Sequence, residues 1–329
     1  MRDIAFDASP GETRAVLFEG GVAAELHIWR EGHAAPGSVI DAKIISKVGG
    51  RAFLALANGE EAVIAPPPAA PEGATVRVEI IRSRICEPGE VKLATTRLSE
   101  ADPCEIGEHQ WRAALSERAD AVIRAGADFD DHFDIAHTGR SDVEGATIWF
   151  ERTKAGLVFD VDGSGDAFAV NCAAAAEIAR LLRLFQIGGA AMIDFIGMEN
   201  KSARLAVAAG FDEASTTDPR GFERTSINGY GLMQVIRAKP GPSILDTLFG
   251  TRRVSLSDET LILALLRAAS RTSGAGVRRC VTTPALATQL ELPMWQPLIA
   301  QAARQAGAAL EIVADASTRG YGHVHVTQV

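Results

Sequence analysis

Leu157-Val158-Phe159-Asp160-Val161-Asp162 and, further on, Met192-Ile193-Asp194-Phe195-Ile196 decide how this chain folds. Each is a short apolar run carrying a carboxylate, the pattern of a strand that brings an acid to its end. Between them, Asn171 to Phe185 repeats apolar residues at helical spacing and is closed by Gly188-Gly189. The second strand, Ala190 to Ile196, is nearly all apolar, which predicts burial on both faces. A bare carboxylate among apolar residues is costly to desolvate unless it is exposed at a strand end, paired, or bound to a cation. Strand ends in open α/β sheets are where ligands gather. Two acids on neighbouring strands share one hard cation through oxygen ligands and leave several waters on it. Held this way, magnesium orients and activates a water and offsets charge on a phosphodiester. The plainer reading is that the acids cap helices or pair with arginines. Asp162 lies on the same side of an extended strand as Asp160. It serves either as a further ligand or support, or as the start of the turn Gly163-Ser164-Gly165.

Outward from this centre, Ala146 to Glu151 pairs with Leu157 to Val161 around Thr153-Lys154-Ala155-Gly156, Ser202 to Ala209 is helical, and Gly231 to Ile236 is a strand. The theme repeats toward the end. Asp258 to Ser273 and Trp295 to Gln305 are helices; Val277 to Val281, Leu310 to Val313 and His323 to Thr327 are strands. The first third differs. Thr13 to Phe18 and Val22 to Trp29 flank a Gly20-Gly21 turn as a hairpin. Val39–Val48, Arg51–Ala57, Ala62–Ala65 and Thr75–Ile81 are short strands, with Val91–Leu98 as one more, at the spacing of a small closed barrel. Ile106 to Ala125 shows four-residue apolar spacing and predicts a helix; Asp128 to Asp142 is acidic and polar, and predicts a loop.

The 329 residues suffice for two modest domains, and 47% apolar with 23% charged residues is ordinary for a folded core. A net charge of −9 argues against a broad nonspecific nucleic-acid surface while allowing a local basic groove. Cys86, Cys104, Cys172 and Cys280 are too far apart for a zinc knuckle or a redox pair, and all four read as small buried hydrophobes of a reducing compartment. Neither a signal peptide nor a membrane span is expected, which points to the cytoplasm.

On the barrel, Lys43, Lys47, Arg51 and Phe53 form a basic face with an aromatic, suited to single-stranded nucleic acid, although Phe53 by itself fits a core as well. Arg180, Arg183, Arg237 and Lys239 near the acids suit a phosphate-bearing substrate, or a solvated helix face in the case of Arg180. His323 and His325 alternate on the last strand with no acid or cysteine to complete a metal set, and are taken as structural.

These residues resemble a known family. Asn171 to Leu184, with Glu177-Ile178-Ala179-Arg180, then Ile187-Gly188-Gly189 and Met192-Ile193-Asp194-Phe195-Ile196-Gly197-Met198, is similar to the catalytic segment of ribonuclease E/G proteins. Phe159-Asp160-Val161-Asp162 is similar to the family's Ile-Asp-Ile-Asn. By this resemblance Asp160 and Asp194 hold the catalytic magnesium, with manganese as a substitute, and Asp162 orients or completes the site. The segment Ala42-Lys43-Ile44-Ile45 through Ala52-Phe53 resembles the family's single-strand-binding barrel, and Lys92-Leu93-Ala94-Thr95-Thr96 its exit strand. Tyr230-Gly231-Leu232 with Arg237 resembles the strand after the active site, and Ser255-Leu256-Ser257 the start of the small C-terminal domain.

Departures accompany the likeness. Asp162 replaces the family's asparagine, Gly197 its second acid, Gly229 a basic residue and Val63 a second barrel aromatic. No cysteine lies near 250–253, so the zinc-linked dimer is not expected. The region 102–142 is too short for the family's 5′-end sensor.

The expected fold is α+β and multi-domain. It comprises a hairpin over 1–34 packing on the catalytic body, an OB-type RNA-binding barrel over 35–101, and a helical linker over 102–142. An α/β, DNase-I-like catalytic domain over 143–250 and a small α/β domain over 251–329 complete it. The expected function is metal-dependent endoribonuclease action on single-stranded RNA, with Lys43, Arg51, Phe53, Lys92, Arg237 and Lys239 on the strand. The rival is an RNA-binding member that has lost turnover, favoured by Asp162, Gly197 and Gly229. A phosphodiesterase for small nucleotides would have no use for the barrel.

Without the end sensor, RNAs with a 5′-monophosphate and a 5′-hydroxyl are expected to be cut at equal rates. Paired cleavage assays check this, and a strong preference for the monophosphate would show that residues 102–142 read the 5′ end.

Overall fold

A computed structural model of the protein describes residues 1–126 and 128–327. The chain divides into two units: residues 1–5, 16–27 and 32–254, and residues 6–15, 28–31 and 255 onward. Three N-terminal strands, β1 (Arg2–Ser9), β2 (Glu12–Glu19) and β3 (Val22–Arg30), contribute residues to both. The Gly20-Gly21 hairpin is present. The strand β1 is not evident from the sequence pattern because Arg2, Asp3 and Asp7 interrupt its apolar residues; sheet pairing supplies what local preference does not.

In the first unit, β4 (Val39–Val48), β5 (Arg51–Ala55), β6 (Glu61–Ile64), β7 (Thr75–Arg82) and β10 (Ala94–Leu98) close into a barrel. A small two-stranded ribbon, β8 (Ile85–Glu87) and β9 (Glu90–Lys92), precedes the last strand. Around the barrel the order is β4-β5-β6-β10-β7 and back to β4, with β6 and β10 parallel. This is the Greek-key arrangement expected of an OB-type barrel. Its interior is filled by Ala42, Ile44, Ala52, Leu54, Ala62, Ile64, Val78, Ile80 and Ala94. Alternation along β5 therefore turns Ala52 and Leu54 inward and leaves Phe53 on the outside.

The next segment departs from its prediction. The helix expected over Ile106 to Ala125 stops early: α1 spans Glu108–Ser116, and β11 (Ala121–Arg124) follows. Backbone pairing with the start of the chain wins over the apolar spacing, as the Asp120 N–H donates to the Arg2 carbonyl at 2.7 Å. The stretch expected as loop contains α2 (Asp131–Thr138) and β12 (Arg140–Val143). Phe133 and Ala136 bury one face of α2, so its acidic residues are only the solvent side.

A six-stranded sheet has the order β12-β13-β14-β15-β17-β16, with β13 (Ala146–Thr153), β14 (Gly156–Gly163), β15 (Gly189–Asp194), β16 (Phe222–Arg224) and β17 (Leu232–Arg237). Only β14 and β15 run parallel. Between them lies α3 (Ala167–Leu184), begun by the Asp166 side chain accepting from the Phe168 and Ala169 N–H groups. The buried sheet face carries Ile148, Phe150, Phe159, Ile193 and Met233 against Ile178, Leu181, Leu182 and Phe185. The helix α4 (Lys201–Ala214) packs on α3, and α5 (Ile244–Phe249) closes the unit. The expected burial of β15 on both faces does not occur: it alternates, with Met192 and Asp194 exposed.

In the second unit, α6 (Asp258–Arg271), α7 (Pro284–Leu290) and α8 (Gln296–Ala306) pack with a sheet of order β19-β18-β20. Its strands are β18 (Val277–Thr282), β19 (Leu310–Ala314) and β20 (His323–Thr327). Leu263, Leu266, Cys280, Leu286, Leu290 and Trp295 form its core. Cys280 is the buried hydrophobe expected, and burial pushes its thiol up to about 11, but Cys104 is exposed. Among the described residues, no helix is long and apolar enough to cross a membrane.

Arg183, near the end of α3, is held within the first unit. Its guanidinium donates to Glu19 at 2.7 and 2.8 Å, to Glu25 at 3.2 Å and to the Thr217 hydroxyl at 3.0 Å. Burial alone would raise the Glu25 carboxyl, but hydrogen bonds and charge from His27 and Arg118 outweigh it and hold it well below the usual range. A carboxyl lowered by folding stabilises the native state above its ordinary value of 4.5, and that stabilisation is lost as pH falls. Glu25→Ala is expected to cost about 3–5 kcal/mol at neutral pH. Urea denaturation across acidic pH should show this difference shrinking below the ordinary glutamate range.

Candidate active site

The open face of the six-stranded sheet carries the acids. Register aligns Arg140, Trp149, Asp160, Asp194 and Leu232 in one row across β12, β13, β14, β15 and β17. Asp160 and Asp194 are direct partners across the parallel pair β14–β15. Their neighbours Phe159 and Ile193 are fully buried, so the alternation of both strands forces the two carboxylates onto the same solvent face. Asp162 stands one row further along, beside Thr147. All three predicted acids are thus brought to one end of the sheet face.

The electrostatics are those of crowded like charges. Partial burial, with Asp162 and Asp194 nearby, pushes the Asp160 carboxyl above the usual carboxylate range. Among the described residues, none of the three acids makes an ion pair or a side-chain hydrogen bond, so neither helix capping nor arginine pairing explains them. The described residues hold no group of three or more His, Cys, Asp and Glu side chains arranged to bind a metal. What remains is a pair of hard oxygen donors that no protein cation among the described residues pairs with.

Two residues given no role in the sequence fix the chain beyond Asp194. Asn171 is fully buried in α3. Its amide donates to the Ile196 carbonyl at 2.7 Å and accepts from the Ile196 N–H at 3.0 Å. An asparagine inside an apolar helix face is the readable signal, because a buried amide needs partners. Gly231 approaches from the other side, its carbonyl accepting from the Phe195 N–H at 3.1 Å. It has φ +94°, and a Cβ there would lie 2.3 Å from the Phe195 carbonyl oxygen, so only glycine fits. Gly197 is different: a Cβ there would meet nothing within 4 Å, so no contact at that atom requires glycine.

On the barrel, Arg51, Phe53, Val63, Arg82 and Lys92 line an open groove of about 810 Å³. Phe53 therefore faces solvent rather than the core. Arg51 is exposed with no ion pair among the described residues. Lys43 is likewise exposed on β4 but does not line this groove. Lys47 turns its ammonium to the Pro68 carbonyl. Lys92 keeps an exposed side chain while pairing with Glu87 at 2.6 Å.

The other predicted cations stand apart from the acids. Arg237 is buried, its guanidinium bonded to Asp218 and to the Leu182 and Ile187 carbonyls. Those bonds brace the start of β15 and withdraw Arg237 from any RNA-facing role. Arg180 pairs with Glu177 at 2.6 Å, and Arg183 is buried as described. Lys239 pairs with Glu87 at 2.9 Å and Asp246 at 3.1 Å. It lies beside Gly188 and Gly189, at the opposite end of β15 from Asp194, roughly 16 Å away by strand rise.

Comparison with known proteins agrees with the resemblance. Residues 134–240 match the model of the ribonuclease E/G family. Ribonuclease E of Nostoc sp. (strain PCC 7120) is 36% identical over 115 residues, which are 32% of this chain and 17% of that protein. Ribonuclease E of Escherichia coli (strain K12) is 32% identical over 139 residues, 37% of this chain and 13% of that protein. Ribonuclease G of the same strain is 38% identical over 80 residues, 23% of this chain and 16% of that protein. The chain thus covers less than a fifth of the length of each of these relatives.

Asn171→Ala leaves the Ile196 N–H and carbonyl without their partner. It is expected to destabilise the protein by about 1–3 kcal/mol. Amide hydrogen exchange should quicken at Ile196 and its neighbours while the barrel amides stay protected; unchanged exchange at Ile196 would show that the asparagine does not hold this loop.

Proposed function

Because residues 134–240 are ribonuclease E/G family sequence, we propose that this protein is a metal-dependent endoribonuclease that hydrolyses phosphodiester bonds in single-stranded RNA. The observation that carries the reading is the register of Asp160 against Asp194, both exposed on the same face of the sheet. Two hard oxygen donors in contact with solvent, without a protein cation, suit magnesium or manganese that keeps several waters. Bound there, the metal would supply the Lewis acidity that activates water and offsets phosphate charge. The chain's own part is to hold the two carboxylates adjacent. The rigid pairing of β14 with β15 does this, and Asn171 and Gly231 prevent the strand end from drifting. Asp162 adds negative charge in the next row, which strengthens attraction for a divalent cation.

RNA enters this proposal through the barrel. Phe53 offers a ring for stacking, and Arg51, Arg82 and Lys92 offer positive charge along one groove. A local basic groove on a chain of net charge −9 confines phosphate attraction to that surface. The DNase-I-like description of the sheet domain, the cytoplasmic setting, and action without zinc belong to the same proposal.

A second reading has its own support. Gly197 and Gly229 have open space where the family pattern places an acid and a base. Their absence is thus a loss of function-bearing groups rather than a packing demand, as expected of an RNA-binding member without turnover.

Cleavage of a fluorescent single-stranded RNA with magnesium separates the two. Asp160→Asn and Asp194→Asn are each expected to lower the rate by more than about 100-fold, since even outer-shell changes at metal sites cost up to that much. Their melting temperatures should not fall. Undiminished cleavage by either variant would remove the proposed metal site, and wild-type binding without cleavage in magnesium or manganese would establish the second reading.

A further inference from the structure

We propose that Trp149 is a stacking platform for the nucleobase next to the phosphate that the acid pair addresses, making it a positioning and specificity residue. The inference rests on the ribonuclease reading for its ligand, single-stranded RNA. Its observations are separate from the acids themselves. Trp149 sits on the open face as the direct cross-strand partner of Asp160, so its side chain rises about 4.8 Å from the carboxylate's strand. It is 42% exposed, which leaves much of a large aromatic surface open to a ligand. One ring face is occupied: the Arg140 guanidinium lies over it, 5.1 Å from the centroid. Arg140 is itself fixed by Asp142 at 2.9 Å. This stack orients the indole and sets a positive charge beside it.

A cleft of about 460 Å³ opens alongside, lined by His137, Trp149, Val158, Asp160, Phe249 and Arg253. That volume is in the range that holds a small ligand, and a single nucleoside is of this kind. Its walls are mostly apolar or aromatic, which suits the faces of a base. Asp160 belongs to both the cleft and the acid pair, so a base seated here has its phosphate at the pair without further reach. The barrel groove lies on a different sheet and grips the strand elsewhere. The sheet platform acts at the cut.

An abasic scan tests this. In the wild type, removing the base at one position beside the cut is expected to slow cleavage about 10- to 100-fold, the worth of one base–aromatic stack. In Trp149→Ala that abasic substitution should cost nothing further, while Trp149→Phe should retain most of the base dependence. Equal sensitivity to the abasic site with and without Trp149 would overturn the proposal. A second measurement needs no turnover. Single-stranded RNA should quench the tryptophan emission of Asp160→Asn protein, and the added change Trp149→Phe should remove that quenching. Quenching that survives without Trp149 would also overturn it, whereas loss of cleavage with Trp149-dependent quenching intact would count against the nuclease reading alone.

Discussion

The parallel pairing of β14 with β15 is the constraint from which the site follows. Phe159, Val161 and Ile193 are driven into the layer beneath the sheet because their exposure to water is costly. Once they are inside, strand alternation leaves Asp160 and Asp194 no choice of face. Partial burial, together with the neighbouring charges of Asp162 and Asp194, then carries a cost that appears in the raised carboxyl of Asp160. A fold tolerates such a cost where function uses it. The hydrophobic demand of one face thus creates the electrostatic tension of the other.

Around this pair the protein separates rigid from open. Below, α3 supplies Ile178, Leu181 and Leu182 to the core, and the same helix supplies Asn171 to tie down Ile196. Its far end is clamped through Arg183 to Glu19 and Glu25. One helix therefore packs, positions and anchors. Above, the sheet face exposes Trp149, Asp160, Asp162, Met192 and Asp194. Positive charge is kept off the acids. Arg237, Arg180 and Arg183 are each committed to internal acids or carbonyls, and of the exposed cations nearby Arg140 pairs with Asp142 and Arg253 with Glu151. A cation near Asp160 and Asp194 would neutralise the pair by itself, which is how an ordinary structural ion pair behaves.

The barrel illustrates how context settles a residue. Phe53 alone reads as core material. Its neighbours Ala52 and Leu54 fill the interior, so period-two alternation puts the ring outside among Arg51, Arg82 and Lys92. The alternation was present in the sequence, but its phase became certain only when the barrel closed and defined an inside. The opposite happened to Arg237 and Arg183, whose charges suggested a ligand and whose surroundings supplied protein partners.

The sequence by itself determined most of the strands, α3, the barrel, the two aspartates and the kinship carried by Asn171 to Met198. These rest on local periodicity and on an ordered run of residue types, both readable along one dimension. It did not determine β1, β11 or α2, where pairing with distant strands and the burial of Phe133 override short-range preference. Nor did it determine the exposed face of β15, the burial of Arg237, or the row that sets Arg140, Trp149 and Asp160 side by side. Cross-strand register and burial depend on which segments meet, and that is a property of the packed chain rather than of any segment in it.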